Sequence, residues 1–75
     1  MQLQQMREMV ACHQIREGIL KPATEGNGWL VGIEDRDGVQ HALTDHGGHE
    51  KLYHSIDIAT ETLRDMGVDA IKVVE

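Results

Sequence analysis

Apolar and polar residues alternate between Trp29 and Thr44, a pattern that predicts a β-hairpin. Side chains alternate across a strand with a period of two, so the apolar positions of this stretch share one face: Trp29, Val31, Ile33, Val39, His41 and Leu43. Residues 35–38, Asp-Arg-Asp-Gly, suit a type I turn followed by a G1 bulge, because glycine adopts positive φ without steric cost. This turn sets Ile33 opposite His41 and leaves the second face largely polar.

Helical periodicity flanks the hairpin on both sides. Over residues 2–16, apolar positions recur within about one third of the helical circumference, and Gly18 follows as a stop signal. In the C-terminal half, Ser55 is a favourable N-cap for a helix that begins at Ile56. Gly67 closes that helix, because a left-handed residue commonly ends one. The pattern therefore predicts one helix before the hairpin and one after it.

The remaining segments are short. Pro22 cannot donate a hydrogen bond to a sheet ladder, so residues 19–23 are predicted to form an edge strand. Composition predicts a turn at 24–28, an irregular glycine-bearing loop at 45–50, a short strand or the start of the helix at 51–54, and a final strand at 68–75.

These segments predict a single α+β domain over residues 1–75. The expected element order is α-β-β-β-(β)-α-β, with a small antiparallel sheet of three to five strands. The C-terminal helix packs on one face of this sheet, and the N-terminal helix lies beside or beyond it. A chain of 75 residues without Phe has a thin core, in which Trp29 is expected to be the largest block.

Charge limits the classes of partner. Thirteen acidic and seven basic side chains give a formal net charge of −6, which opposes direct binding to nucleic-acid phosphates or to anionic lipid. The single cysteine, Cys12, cannot form an internal disulfide, and no apolar run is long enough to span a membrane. These features favour a cytoplasmic protein.

The histidines are the main candidate chemistry. His41, His46, His49 and His54 lie near Asp45 and Glu50, and imidazole and carboxylate groups suit zinc or nickel. Within this set, the two candidate metal ligands are His46 and His49, which are three residues apart in a glycine loop. The other interpretation is an exposed loop whose histidines bind no metal, and both interpretations stay open.

Catalysis is not predicted. Cys12 and His13 are adjacent on a helix, where neighbouring side chains point about 100° apart and do not make the pair that a thiolate needs. Capping alone explains Ser55, and the carboxylates are dispersed. We therefore expect neither an enzyme nor a bound cofactor.

Residues 41–74 resemble small plasmid replication and partition-associated proteins of bacteria. The similar features are a leucine-bearing strand, a glycine turn, a basic and aromatic strand, the segment Ser-Ile-Asp-Ile-Ala, a leucine helix that ends in glycine, and a closing strand. Tyr53 stands where the pattern has phenylalanine, and the histidines are not part of it. The resemblance implies an accessory role in a bacterial mobile element.

The function expected from the sequence is a small non-enzymatic module that acts through protein contacts, including a homodimer. Cys12 and Ile15 are the candidate partner-binding residues, because they lie off the stripe of helix positions that would pack on the sheet. The alternative is a metal-binding or metal-responsive domain that uses the histidine-rich segment 41–54.

Overall fold

The computed structural model describes residues 1–23 and 28–74. Its helices and strands, in chain order, are α1 (Leu3–Ala11), β1 (Ile15–Pro22), β2 (Trp29–Asp35), β3 (Gln40–Ala42), β4 (Leu52–Tyr53), α2 (Ile56–Asp65) and β5 (Ile71–Val73). The predicted α+β class and element order are confirmed, and residues 51–54 contain a short strand. The turn predicted around residues 24–27 lies outside the described residues.

The strands form one mixed sheet with the order β3-β2-β1-β5, and β4 pairs with β2 beyond the end of β3. β1 and β2 are antiparallel, as are β2 and its partners β3 and β4. β5 runs parallel to β1, so the sheet is not wholly antiparallel. A parallel pair needs a long crossover, and the chain between β1 and β5 supplies one that includes α2.

The edge-strand prediction for residues 19–23 is wrong. β1 lies between β2 and β5 and spans Ile15–Pro22, so it is a central strand. Pro22 is its last residue, where a missing N–H does not interrupt the ladder. The parallel partner β5 covers residues 18–20, before the proline is reached.

Helix α1 is shorter than predicted. It ends at Ala11 with Cys12 as its C-cap, and His13 has a φ of 57°. A left-handed residue directs the chain away from the helix axis, so residues that the periodicity assigned to the helix enter β1 instead. Ile15 is the first residue of β1.

Both helices contribute to one core on a single side of the sheet. The buried cluster comprises Met6, Leu20, Val31, Ile33, Leu43, Ala59, Leu63, Met66 and Val68. Gly18 lies under α2, because a Cβ there would stand 2.8 Å from Leu63 Cδ1. Trp29 is half-buried and packs against the margin of this cluster rather than forming its centre.

The two ends of α2 are as predicted. Ser55 is the N-cap, and its hydroxyl accepts a hydrogen bond from the backbone N–H of Asp57 at 3.1 Å. Gly67 follows the helix with a φ of 98°. Helix α2 therefore begins at Ile56, as the capping pattern predicts.

Two turns share one geometry. In 35–39 and in 45–49, the leading Asp accepts backbone N–H groups from positions two and four residues later, and the fourth residue is a glycine with positive φ. The first turn is confirmed, with Ile33 opposite His41. The glycine-bearing loop predicted at 45–50 is present, and its hydrogen bonds make it a second tight turn. The shared spacing, Asp followed three residues later by Gly, is the sequence signal that identifies it.

Candidate interaction surface

The side of the sheet opposite the helices is called the outer face. Strand alternation and the observed register assign ten residues to it: Glu17, Ile19, Lys21, Leu30, Gly32, Glu34, Gln40, Ala42, Leu52 and Lys72. Within the described ranges, both helices contribute their buried residues to the core on the other side. The outer face is therefore left without a covering layer by residues 1–23 and 28–74.

The centre of the outer face is apolar. Ile19 is only 3% exposed, although it is not a member of the core cluster. Leu30 pairs directly with Leu52, which is 43% exposed. Leu52 also lies against Gly28, where a Cβ would stand 2.5 Å from Leu52 Cδ1. Apolar side chains from β1, β2 and β4 therefore meet on the side that the sequence pattern predicted to be polar.

A shallow depression lies beside this apolar centre. Its volume is about 420 Å³, and its lining includes Ile19, Leu30, Gly32 and Ala42. Glycine and alanine form its floor because their side chains are the smallest on the face. The sequence of the hairpin does not by itself predict this depression. Ile19 and Leu52 reach the outer face only because β1 and β4 pair with β2.

Charges on the outer face are separated along the strand direction. Glu17 pairs with Glu34 at one end of the β1–β2 ladder, whereas Lys21 pairs with Leu30 near the other end. Arg16 Nη1 lies 3.7 Å from Glu34 Oε2 and partly balances that carboxylate. Glu17 and Lys21 take part in no ion pair within the described residues. Along β1 the face is thus acidic at one end and basic at the other, while Lys72 lies beside Ile19 and Glu50 lines the depression.

His41 is paired with a carboxylate at the margin of the sheet. Its Nε2 lies 2.9 Å from Asp35 Oδ2, and both side chains are largely buried. The hydrogen bond from His41 lowers the pKa of Asp35, and the backbone N–H groups of Val39 and Asp37 lower it further. His41 is therefore held by a turn residue rather than directed toward the other histidines.

His46 and His49 lie in the second turn, and both are exposed. His49 Nδ1 is 3.7 Å from Asp45 Oδ1, an oxygen that already accepts the backbone N–H groups of Gly47 and His49. The hydrogen bond from the His49 N–H lowers the pKa of Asp45, with a smaller contribution from Gly47. In the part of the chain that is described, no three His, Cys, Asp or Glu side chains are placed to hold one metal ion.

A second groove of about 720 Å³ separates α1 from the second turn. Its lining includes Leu3, Arg7, Asp45, His46 and Lys51. Both signs of charge line this groove, together with the apolar side chains of Leu3 and Ala11. Among the described residues, no three His, Cys, Asp or Glu side chains of this groove are placed to hold a metal ion.

The two candidate partner-binding residues are not brought together on one helix face. Cys12 is exposed at the C-terminal end of α1. Ile15 starts β1, is half-buried and packs against the core. The helical placement that led to the prediction for Ile15 is therefore wrong.

Comparisons with protein-family models, with curated proteins and with solved structures give no significant match to this chain. Neither of the helices in the described ranges is long and apolar enough to cross a membrane.

Proposed function

We propose that this chain is a small non-enzymatic interaction module and that it binds another protein chain through its outer face. The observation that carries the proposal is the presence of Ile19, Leu30 and Leu52 on a side of the sheet that no described element covers. An antiparallel sheet with one solvated face usually presents polar side chains there. Here the centre is apolar and the charged residues lie toward the ends, which is the arrangement of a protein interface.

The energetics support a protein partner. Apolar surface gains about 25 cal/mol for each Å² removed from water, so an exposed leucine beside other apolar groups favours burial. Contiguous apolar patches rimmed by polar residues commonly mark interaction sites.

The charge of the chain supports the same class of partner. A net charge of −6 opposes binding to phosphate-rich ligands, because such binding needs basic side chains that displace the counterions of the phosphates.

The Ser55 hydroxyl is the N-cap of α2, where it accepts a hydrogen bond from the backbone N–H of Asp57. An accessory role in a bacterial mobile element, implied by the resemblance of residues 41–74, is part of the proposal and is compatible with a module that works through protein contacts.

Site-specific photo-crosslinking tests the proposal. A photoreactive phenylalanine analogue would replace Leu52 on the outer face, in cells in which the protein is naturally made. The matched control carries the analogue at Ile58, which is 54% exposed on α2 and away from the sheet. We expect one defined protein adduct from position 52 and none from position 58. Equal adducts from both positions, or none from either, would contradict the proposal.

A second variant checks that the adduct depends on the face itself. Ala42→Lys places a long charged side chain on the exposed floor of the depression. It should abolish the adduct at position 52 without changing the circular dichroism spectrum of the purified protein. An adduct that survives this substitution in a folded protein would show that the outer face is not the binding surface.

A further inference from the structure

We infer that the outer face binds the outer face of a second copy of this chain, which forms a two-fold symmetric dimer. This inference rests on the proposed function and names the partner. Strand β1 carries a carboxylate, Glu17, and an amine, Lys21, four residues apart on the outer face with Ile19 between them, and neither is in an ion pair within the described residues. A surface with both signs at opposite ends is complementary to a reversed copy of itself.

The symmetry follows from these positions. Two sheets that pack face to face keep their strands within about 30° of each other. A two-fold axis that lies between the sheets and crosses the strands reverses the strand direction in the second copy. Lys21 of one protomer then approaches the partner subunit's Glu17, and the same contact occurs twice. An axis parallel to the strands would instead place Glu17 near the partner subunit's acidic end, so the charges select the first arrangement.

The register places Ile19 and Gly32 midway between Glu17 and Lys21, so these two residues lie at the axis of this arrangement. Lys72 lies at the outer edge of the sheet, on β5, where its amine stays in water.

The size of the face sets the expected strength. Strands β1 and β2 are eight and seven residues long and β3, β4 and β5 are two or three, so the face covers roughly 350 Å². Specific interfaces usually bury about 800 Å² on each partner. The dimer should therefore be weak, with a dissociation constant on the order of 10–100 µM.

The test is a charge exchange that is followed by sedimentation equilibrium of purified full chains. Lys21→Glu makes both ends of the face acidic, and Glu17→Lys makes both ends more basic. Each variant alone should dimerise about tenfold more weakly than the wild type, because two attractive contacts become repulsive. An equimolar mixture of the two variants should recover wild-type association, because both heterodimer contacts pair opposite charges.

Matched controls carry the same charge changes elsewhere. Lys51→Glu lies near α1, and Glu61→Lys lies on the exposed side of α2. These controls should dimerise like the wild type, and their mixture should show no additional association. Circular dichroism spectra that match the wild type would show that every variant is folded.

The outcomes are distinguishable. A wild-type chain that stays monomeric at several hundred micromolar would overturn the second-copy inference, whereas an adduct of Leu52 with a different protein would still support an interaction module. Dimerisation that responds equally to the controls, or that the variant mixture does not restore, would also overturn it. Recovery of association only in the Lys21→Glu and Glu17→Lys mixture would support it.

Discussion

The Nε2 atom of His41 lies 2.9 Å from Oδ2 of Asp35, so a side chain from β3 is held by the turn that precedes it. The other carboxylate oxygen of Asp35 accepts the backbone N–H groups of Asp37 and Val39, each at 2.9 Å. One carboxylate therefore stabilises the turn and also joins it to the next strand.

The first prediction concerns acid stability. Because these hydrogen bonds lower the pKa of Asp35, the unfolded chain binds a proton at a pH where the folded chain does not. The free energy of unfolding should thus rise with pH, and the contribution of Asp35 should be lost as pH falls below about 4. Asp35→Asn should flatten this acid dependence in urea unfolding measured from pH 2 to pH 6. His41→Gln, which keeps the carboxylate, should flatten it only in part, and an unchanged slope in Asp35→Asn would contradict the prediction.

The second prediction concerns the start of α2. Ser55→Ala should lower the free energy of unfolding by about 1 kcal/mol, because the N–H of Asp57 loses its acceptor. Ser55→Asp keeps an acceptor oxygen and is the matched control. Denaturant midpoints at equal slope measure the effect. If both variants were equally destabilised, the cap hydrogen bond would not be the cause.

The third prediction compares two apolar residues on α2. Leu63 is fully buried, whereas Ile58 is 54% exposed. Leu63→Ala should lower the free energy of unfolding by about 2–5 kcal/mol because it leaves a cavity against the sheet. Ile58→Ala should cost far less, because no enclosed cavity results. Thermal unfolding of both variants gives the comparison, and similar losses would mean that the assignment of the buried helix face is wrong.

The fourth prediction separates two glycines. Gly38 has a φ of 86°, and no atom of the described residues lies within 4 Å of an added Cβ, so Gly38→Ala should cost about 1–2 kcal/mol through backbone strain alone. Gly18→Ala should cost about 1–3 kcal/mol through the contact with Leu63. A double-mutant cycle with Leu63→Ala distinguishes the two causes. The cost at Gly18 should shrink in that background and the cost at Gly38 should not; additive costs at both sites would refute the steric explanation.

The fifth prediction addresses the metal-binding alternative. Tight zinc sites need four ligands in a closed arrangement, and the described residues bring no three candidate ligands together. Zinc titration by calorimetry should show no stoichiometric binding at micromolar protein, and His49→Ala should behave like the wild type. Tight binding that His49→Ala abolishes would favour the metal-binding function instead.

Local features could be predicted from the sequence because each depends on residues close together in the chain. The turn at 35–38 needs a glycine with positive φ, and the start of α2 needs the Ser55 hydroxyl within reach of the next N–H groups. The register of β2 and β3 follows from the turn between them. The α+β class follows in turn from the order of these elements.

Helix α1 and β1 show where local pattern is insufficient. The periodicity extended the first helix to residue 16, but pairing with β2 and packing on the core place Ile15 in a strand. Tertiary contacts overrode a weak helical preference, since short helices gain most of their stability from packing. The central position of β1 likewise depends on the distant strand β5.

The sequence by itself determined the turn at 35–38, the Ser55 helix cap and the apolar hairpin face, because those depend on short-range hydrogen bonds and on the period of a strand. Only the tertiary structure decided that Ile19, Leu30 and Leu52 meet on the outer face. They come from three separate strands, and the register that aligns them is set by contacts between segments far apart in the chain. The candidate interaction surface therefore exists only in the folded sheet.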